Sequence, residues 1–185
     1  MEQHGDRVET IVSLVQKARS EHIEQELETS PLGIKLGHKM LVCLDGSKLS
    51  EQILPYAADE ARCLGGQLVL LQVFSLDDAA LGDIIQPIYW EKEKEAKAYL
   101  GGVARSLLGK GINVEYTAVH AITHTTAEIG QGIINYAKNH DIELIALTTH
   151  GCSGVKRMVF GSVADYVLRN SGLPVLVMKP QEQEK

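Results

Sequence analysis

Apolar residues along this chain fall into short continuous runs separated by stretches with helical spacing. Met40-Leu41-Val42-Cys43-Leu44 is continuous, as in a strand covered on both faces, and Asp45 breaks it. Ser47 is placed to cap a helix whose apolar positions Ile53, Leu54, Ala57, Ala58 and Ala61 recur at helical spacing, and Gly65-Gly66 stops it. Leu68-Val69-Leu70-Leu71-Gln72-Val73-Phe74 predicts a second buried strand. Residues 75–86, with Asp77, Asp78 and Gly82, form a connector, and Pro87 is placed to open a helix through the charge run 91–97. That run reads as a solvated helix face. Gly101-Gly102 weakens this helix by about 1 kcal/mol per glycine relative to alanine. Ile112, Val114, Tyr116 and Ala118 alternate with polar residues, the pattern of a half-buried strand near a sheet edge. A helix over about 125–139, a strand over 142–147, a glycine-punctuated loop, a helix to about Ser171 and a last strand Pro174-Val175-Leu176-Val177-Met178 complete the series.

Strands alternating with helices predict an α/β fold: an open five-stranded parallel sheet, joined by right-handed crossovers, with helices on both faces. In such sheets ligands sit outside the carboxyl ends of the strands, where the strand order reverses. Asp45 and the loop 148–162 both follow strands and are therefore expected in one cleft. Three segments are expected: an arm over 1–37, a domain over 38–180 and a polar tail over 181–185. Val8, Ile11, Val12, Val15, Ala18, Ile23 and Leu27 make the arm an amphipathic helix over about 6–28, set off by Pro31 and Gly33. It packs on the domain or a partner subunit, or serves as a regulatory arm that binds a partner.

Composition narrows the classes. A chain of 185 residues with 44% hydrophobic residues suits one globular core without staples. A formal net charge of −6 argues against a nucleic-acid binder. In the arm, Glu2, Asp6, Glu9, Glu21, Glu24, Glu26 and Glu28 outnumber Arg7, Lys17, Arg19 and Lys35, which disfavours an anionic membrane surface. Cys43, Cys63 and Cys152 are odd in number and lack a CxxC pair, as in a reducing compartment. With no long apolar run for membrane insertion and no signal-peptide pattern, a cytoplasmic protein is expected.

The candidate chemistry lies in residues 148–162, TTHGCSGVKRMVFGS, between an apolar strand and the helix-patterned Val163-Ala164-Asp165-Tyr166-Val167-Leu168. Backbone amides approach an anion closely where no Cβ intervenes, and a helix's first turn adds unpaired N–H donors. Gly151 and Gly161 offer such amides or serve turn geometry alone; Ser162, as an N-cap, presents a hydroxyl to an anion or satisfies its own helix. Asp45 repels phosphate, so it faces a nucleoside's hydroxyl or amino groups, caps the following helix, or does both. His150 is an anion contact, a base or a structural loop residue. Lys156 and Arg157 are phosphate partners or surface charges, and Cys152 is an oxidation target if exposed. His120 and His124, with Glu128, straddle a strand-to-helix turn and make a poor zinc site. GxxxxGK[ST] and GxSxG are both absent.

Taken together, Met40 through Ser47, Leu70-Leu71-Gln72-Val73, Thr149-His150-Gly151, Gly161-Ser162-Val163 and Pro174-Val175-Leu176-Val177 resemble a universal stress protein domain, over about residues 39–180. The resemblance implies a Rossmann-like fold of the adenine nucleotide alpha hydrolase type. Nucleotide-binding members carry glycine, two residues, glycine, nine residues, glycine, then Ser or Thr. Here Gly151, nine residues, Gly161 and Ser162 match, Thr148 stands at the first glycine, and Cys43 stands where many members have proline. Residue by residue, the resemblance implies Asp45 and the Val73 backbone at adenosine, with Thr148, Gly151, Gly161, Ser162 and Val163 around the phosphates. Gly154 adds a flexible position in that loop. The implied ligand is ATP, with or without Mg, or AMP, and the implied partner is a two-fold mate paired through Val175–Met178. Three functions remain open: a nucleotide-binding regulatory stress-response protein, with a regulatory protein partner; a slow ATPase or adenylate-transferring enzyme using His150 or metal-bound water; and an interaction module without nucleotide.

Overall fold

The computed structural model describes residues 37–75, 85–149 and 161–181. By its contacts the chain divides into two units, Met1–Leu36 and Gly37–Lys185, and all described residues belong to the second. The expected helical arm, most of the connector after Phe74, and Gly151, Gly154, His150, Cys152, Lys156 and Arg157 lie outside the described residues.

Five strands, β1 (Lys39–Cys43), β2 (Gln67–Ser75), β3 (Val114–Ala121), β4 (Ile142–Thr148) and β5 (Val175–Met178), form one sheet in the order β3-β2-β1-β4-β5. Every pairing is parallel. Four helices, α1 (Leu54–Leu64), α2 (Ile85–Leu108), α3 (Thr126–Asn139) and α4 (Ser162–Asn170), make the crossovers. The chain runs outward from β1 through β2 to β3, then returns past β1 to β4 and β5. Right-handed crossovers place α1 and α2 on one face of the sheet and α3 and α4 on the other. Strand alternation divides the core accordingly. Leu41, Val69, Leu71, Ile145 and Leu147 pack with Ile133, Ala137, Ala164 and Val167 of α3 and α4. Met40, Val42, Leu68, Leu70, Leu144 and Ala146 alternate with these and turn to α1 and α2, whose Ala57, Ala61, Leu100 and Ala104 are buried. Each fully buried Leu or Ile contributes about 1.5–3 kcal/mol, so the three central strands hold most of the stability.

Several local expectations change. The first helix begins at Leu54, not near Ser47: a 3-10 turn, Ser50–Ile53, comes first, and Pro55 sits in the first turn of α1, where its missing N–H costs nothing. Gly101 and Gly102 lie inside α2, which runs unbroken to Leu108. Gly101 is kept small by packing, because a Cβ there would stand 3.2 Å from the hydroxyl of Tyr116. β3 begins at Val114 and extends to Ala121 at the sheet edge. Thr148 ends β4 and so is strand, not loop.

Candidate functional site

Strand order reverses between β1 and β4, whose last paired residues are Val42 and Ala146. Beyond them Asp45 leaves β1 and Thr148-Thr149 leave β4 at the same edge, the position where open parallel sheets bind ligands. Gly161 is tied to this edge, since its N–H donates to the Thr149 carbonyl at 2.6 Å. Asp45, Thr148, Gly161, Ser162 and Val163 thus follow strand ends at the same edge of the sheet, and the gap between the ends of β1 and β4 is the candidate crevice.

On the β1 side, Asp45 Oδ1 accepts from the Ser47 amide at 3.0 Å and the Ser47 hydroxyl at 2.6 Å, an Asx turn. Gly46 takes φ +83°, which glycine adopts without strain. Ser47 Oγ accepts from the Ser50 amide at 3.1 Å, and Ser50 Oγ accepts from the Asp45 amide at 3.3 Å. The Asp45 carboxylate therefore organises the turn rather than capping α1. It is exposed at the crevice. Beneath the turn, Tyr99 lies beside Ser50 and Glu51 with its hydroxyl buried. Burial first, then the Glu51 and Asp45 carboxylates, hold that hydroxyl well above the usual phenol range.

β2 outlasts β1. The Leu44 amide donates to the Leu71 carbonyl at 2.8 Å and the Leu68 amide to the Asn113 carbonyl at 2.9 Å, so odd residues of β2 turn their main chain to β1 and even ones to β3. Val73 therefore points its N–H and C=O toward β1 beyond the last β1 residue, over the crevice. Its side chain packs in the core against α3, where a Cβ on Gly132 would stand 3.6 Å away.

On the β4 side, Ser162 was expected at the N-cap of α4; Gly161 occupies it, with φ −65° and ψ 154°, held extended by its bond to Thr149. That backbone is open to any residue, so Gly161 is not required for a left-handed turn. No side chain caps α4 among the described residues, and Ser162, its first residue, is exposed. A first turn without a side-chain cap presents unpaired amides and the positive end of the helix dipole. Ser162 Oγ accepts from Thr126 Oγ1 at 3.0 Å, and Thr125 caps α3 by accepting from the Glu128 amide at 3.3 Å. The starts of α3 and α4 are thereby joined. Thr148 is 8% exposed and turns its main chain toward β1.

Three features had little or no sequence signal. Gln72 reaches Gly46, where a Cβ would lie 3.8 Å from its Nε2, and its buried Oε1 has no partner among the described residues. Its only hint is being the one polar residue inside the apolar run 68–74. Ser75 Oγ bonds His124 Nδ1, drawing together the ends of β2 and β3. His120 packs tilted against Phe74 and edge-on to Tyr89. No group of His, Cys, Asp and Glu fit to hold a metal occurs among the described residues.

The Universal stress protein family profile matches residues 37–179. Universal stress protein YxiE of Bacillus subtilis is 28% identical over 152 residues, covering 77% of this chain and 99% of that one. In fold, the chain is similar to the hypothetical protein MJ0577 of Methanocaldococcus jannaschii, with a TM-score of 0.69 and 22% identity over 80% of this chain and 99% of that one. It is also similar to a universal stress protein solved in complex with cAMP, with a TM-score of 0.53 and 18% identity, covering 80% of this chain and all of that one.

Proposed function

Because the chain belongs to the universal stress protein family, we propose that it binds an adenine nucleotide, ATP or AMP, in the crevice between β1 and β4 and acts by binding, as a regulatory stress-response protein. One observation carries this reading. The acidic Asp45 turn and the start of α4, which has no side-chain cap, leave adjacent central strands at the switch point. The two ends differ in charge as an adenosine phosphate does. Asp45 accepts from ribose hydroxyls, and the main chain of Val73 pairs with the base. Ser162, Val163 and the first-turn amides of α4 receive phosphate, with Thr148, Gly151, Gly154 and Gly161 completing the cradle and Mg accompanying ATP. The solved relative with cAMP supports the ligand class. The half-buried β5, which among the described residues pairs with β4 alone, provides the surface for a two-fold mate. No helix among the described residues is long and apolar enough to cross a membrane, consistent with action in the cytoplasm.

Isothermal titration of nucleotide-free protein with ATP and Mg, and with AMP, tests the reading. Binding should saturate, and Asp45→Asn should weaken it about tenfold or more, the cost of a lost charge-assisted hydrogen bond. No heat at high micromolar nucleotide refutes it.

A further inference from the structure

We infer that the exposed edge of β3 pairs antiparallel with β3 of a second copy of this chain, about a two-fold axis at Ala118. This edge is remote from the crevice and from β5, and the inference does not depend on nucleotide binding. Main-chain direction is settled by the β2 pairing. The Leu68 amide bonds the Asn113 carbonyl and Leu68 lies opposite Val114, so residues 113, 115, 117, 119 and 121 face β2. Val114, Tyr116, Ala118 and His120 therefore turn their N–H and C=O outward. No described residue bonds these outward groups.

Edge strands are ordinarily blunted by lysine, proline, a bulge or shortness. β3 has none of these. It is eight residues long, contains no Lys or Pro, and keeps unbroken register with β2 from Val114 to Ala121. Its single carboxylate is Glu115. Beside the edge, Trp90, Glu93, Lys94, Lys97 and Ala98 of α2 and Tyr116 of β3 line an open groove of about 590 Å³. Trp90 is 62% and Tyr116 47% exposed, and Ile122, just past the end of β3, is 76% exposed.

The strand is complementary to itself. Pairing about Ala118 sets Ala118 opposite Ala118 of the second copy and Tyr116 opposite His120 of the second copy. All of these are outward-facing residues, so about six main-chain hydrogen bonds close without a slip. Tyr116 and His120 share the α2 face by alternation, so each meets the other's ring across the axis. Glu115 falls opposite Ala121, and no like charges face each other along the strand. The axis is perpendicular to the sheet and leaves both α2 helices on one face. Their groove rims carry both signs, Glu93 with Lys94 and Lys97, so two rims meet without a repulsive field although the chain carries a net −6. The product is a continuous ten-stranded sheet that covers Tyr116 and the groove beside Trp90.

Residue-resolved hydrogen exchange on the full chain, from low micromolar to several hundred micromolar, tests this, with light-scattering mass measured alongside. The amides of Tyr116, Ala118 and His120 should gain about tenfold or more protection as concentration rises. Ala118→Lys and, separately, the milder Tyr116→Lys should abolish that gain and lower the mass of the assembly at high concentration, whatever pairing β5 retains. Amides of Glu115, Thr117 and Val119, which bond β2, should stay protected in both variants and so report an intact fold. Val177→Lys, on the opposite edge, should leave the β3 protection in place. The inference is overturned if the three outward amides exchange unprotected at the highest concentration, if their protection survives both lysine variants, or if Val177→Lys removes it.

Discussion

Gly130→Ala should destabilise the protein, against the ordinary preference of helices for alanine. Gly130 lies in α3 where the ring of Tyr166 from α4 crosses it. An added Cβ would fall inside the van der Waals shell of Tyr166 Cδ1, 3.0 Å from Cγ and 3.1 Å from Cε1. The ring is tethered, since its hydroxyl donates to Gln131 Oε1 at 3.2 Å. Comfortable carbon contacts lie near 3.5–4.0 Å, so the helices must separate by roughly an ångström or the ring must leave its rotamer. Such overpacking costs about 1–3 kcal/mol, against about 1 kcal/mol gained from propensity, for a net loss of about 1 kcal/mol. In a Tyr166→Ala background the obstacle is gone and the same substitution should stabilise by about 1 kcal/mol. The cycle thus predicts a coupling of about 2 kcal/mol, measured by urea denaturation of the four proteins followed by circular dichroism. A higher midpoint for Gly130→Ala in the presence of Tyr166, or a coupling within about 0.5 kcal/mol of zero, refutes the close-packing argument.

Two further outcomes follow from the crevice rim. Gly46→Ala should cost about 1 kcal/mol in urea melts through its φ of +83°, since the nearest atom to a Cβ there, Gln72 Nε2, is a tolerable 3.8 Å away; an unchanged midpoint would show that the turn relaxes. Burial pushes the Cys43 thiol from 9.0 up to about 12, so at pH 8 its thiolate fraction is about a thousandfold below that of an unperturbed thiol, and peptide mapping after iodoacetamide should find exposed Cys63 alkylated long before Cys43. The linked stability has a definite sign. Between pH 9 and 12 the folded chain holds a proton that the unfolded chain has lost, so stability should fall with rising pH more steeply than in Cys43→Ala.

The continuous apolar runs of β1, β2 and β4 made the parallel core legible, because only strands covered on both faces can be apolar at every position. The alternation at Tyr116 and Ala118 likewise marked β3 as an edge. What stayed hidden depends on partners distant in sequence. The Gly101-Gly102 pair reads as a weak point in isolation, yet Gly101 is the clearance for Tyr116, on another element. Ser47 carries the signature of a helix cap, and its hydroxyl does accept from the Ser50 amide, but the turn it closes leads into the 3-10 segment 50–53 ahead of α1. At the crevice, Asp45 and Ser162 were legible because each abuts a strand or helix boundary. Gln72 and the Ser75 to His124 bond were not, because a polar side chain's partner leaves no periodic trace.

Thr149 belongs to two circuits at once. Its carbonyl receives the Gly161 amide at the mouth of the crevice, and its own amide donates to the carbonyl of Met178, the final residue of β5. An anion that tugs Gly161 is therefore two main-chain links from the outer rim of the sheet. The two peptide groups that flank the Thr149 Cα thus tie the start of α4 and the margin of the sheet to one residue.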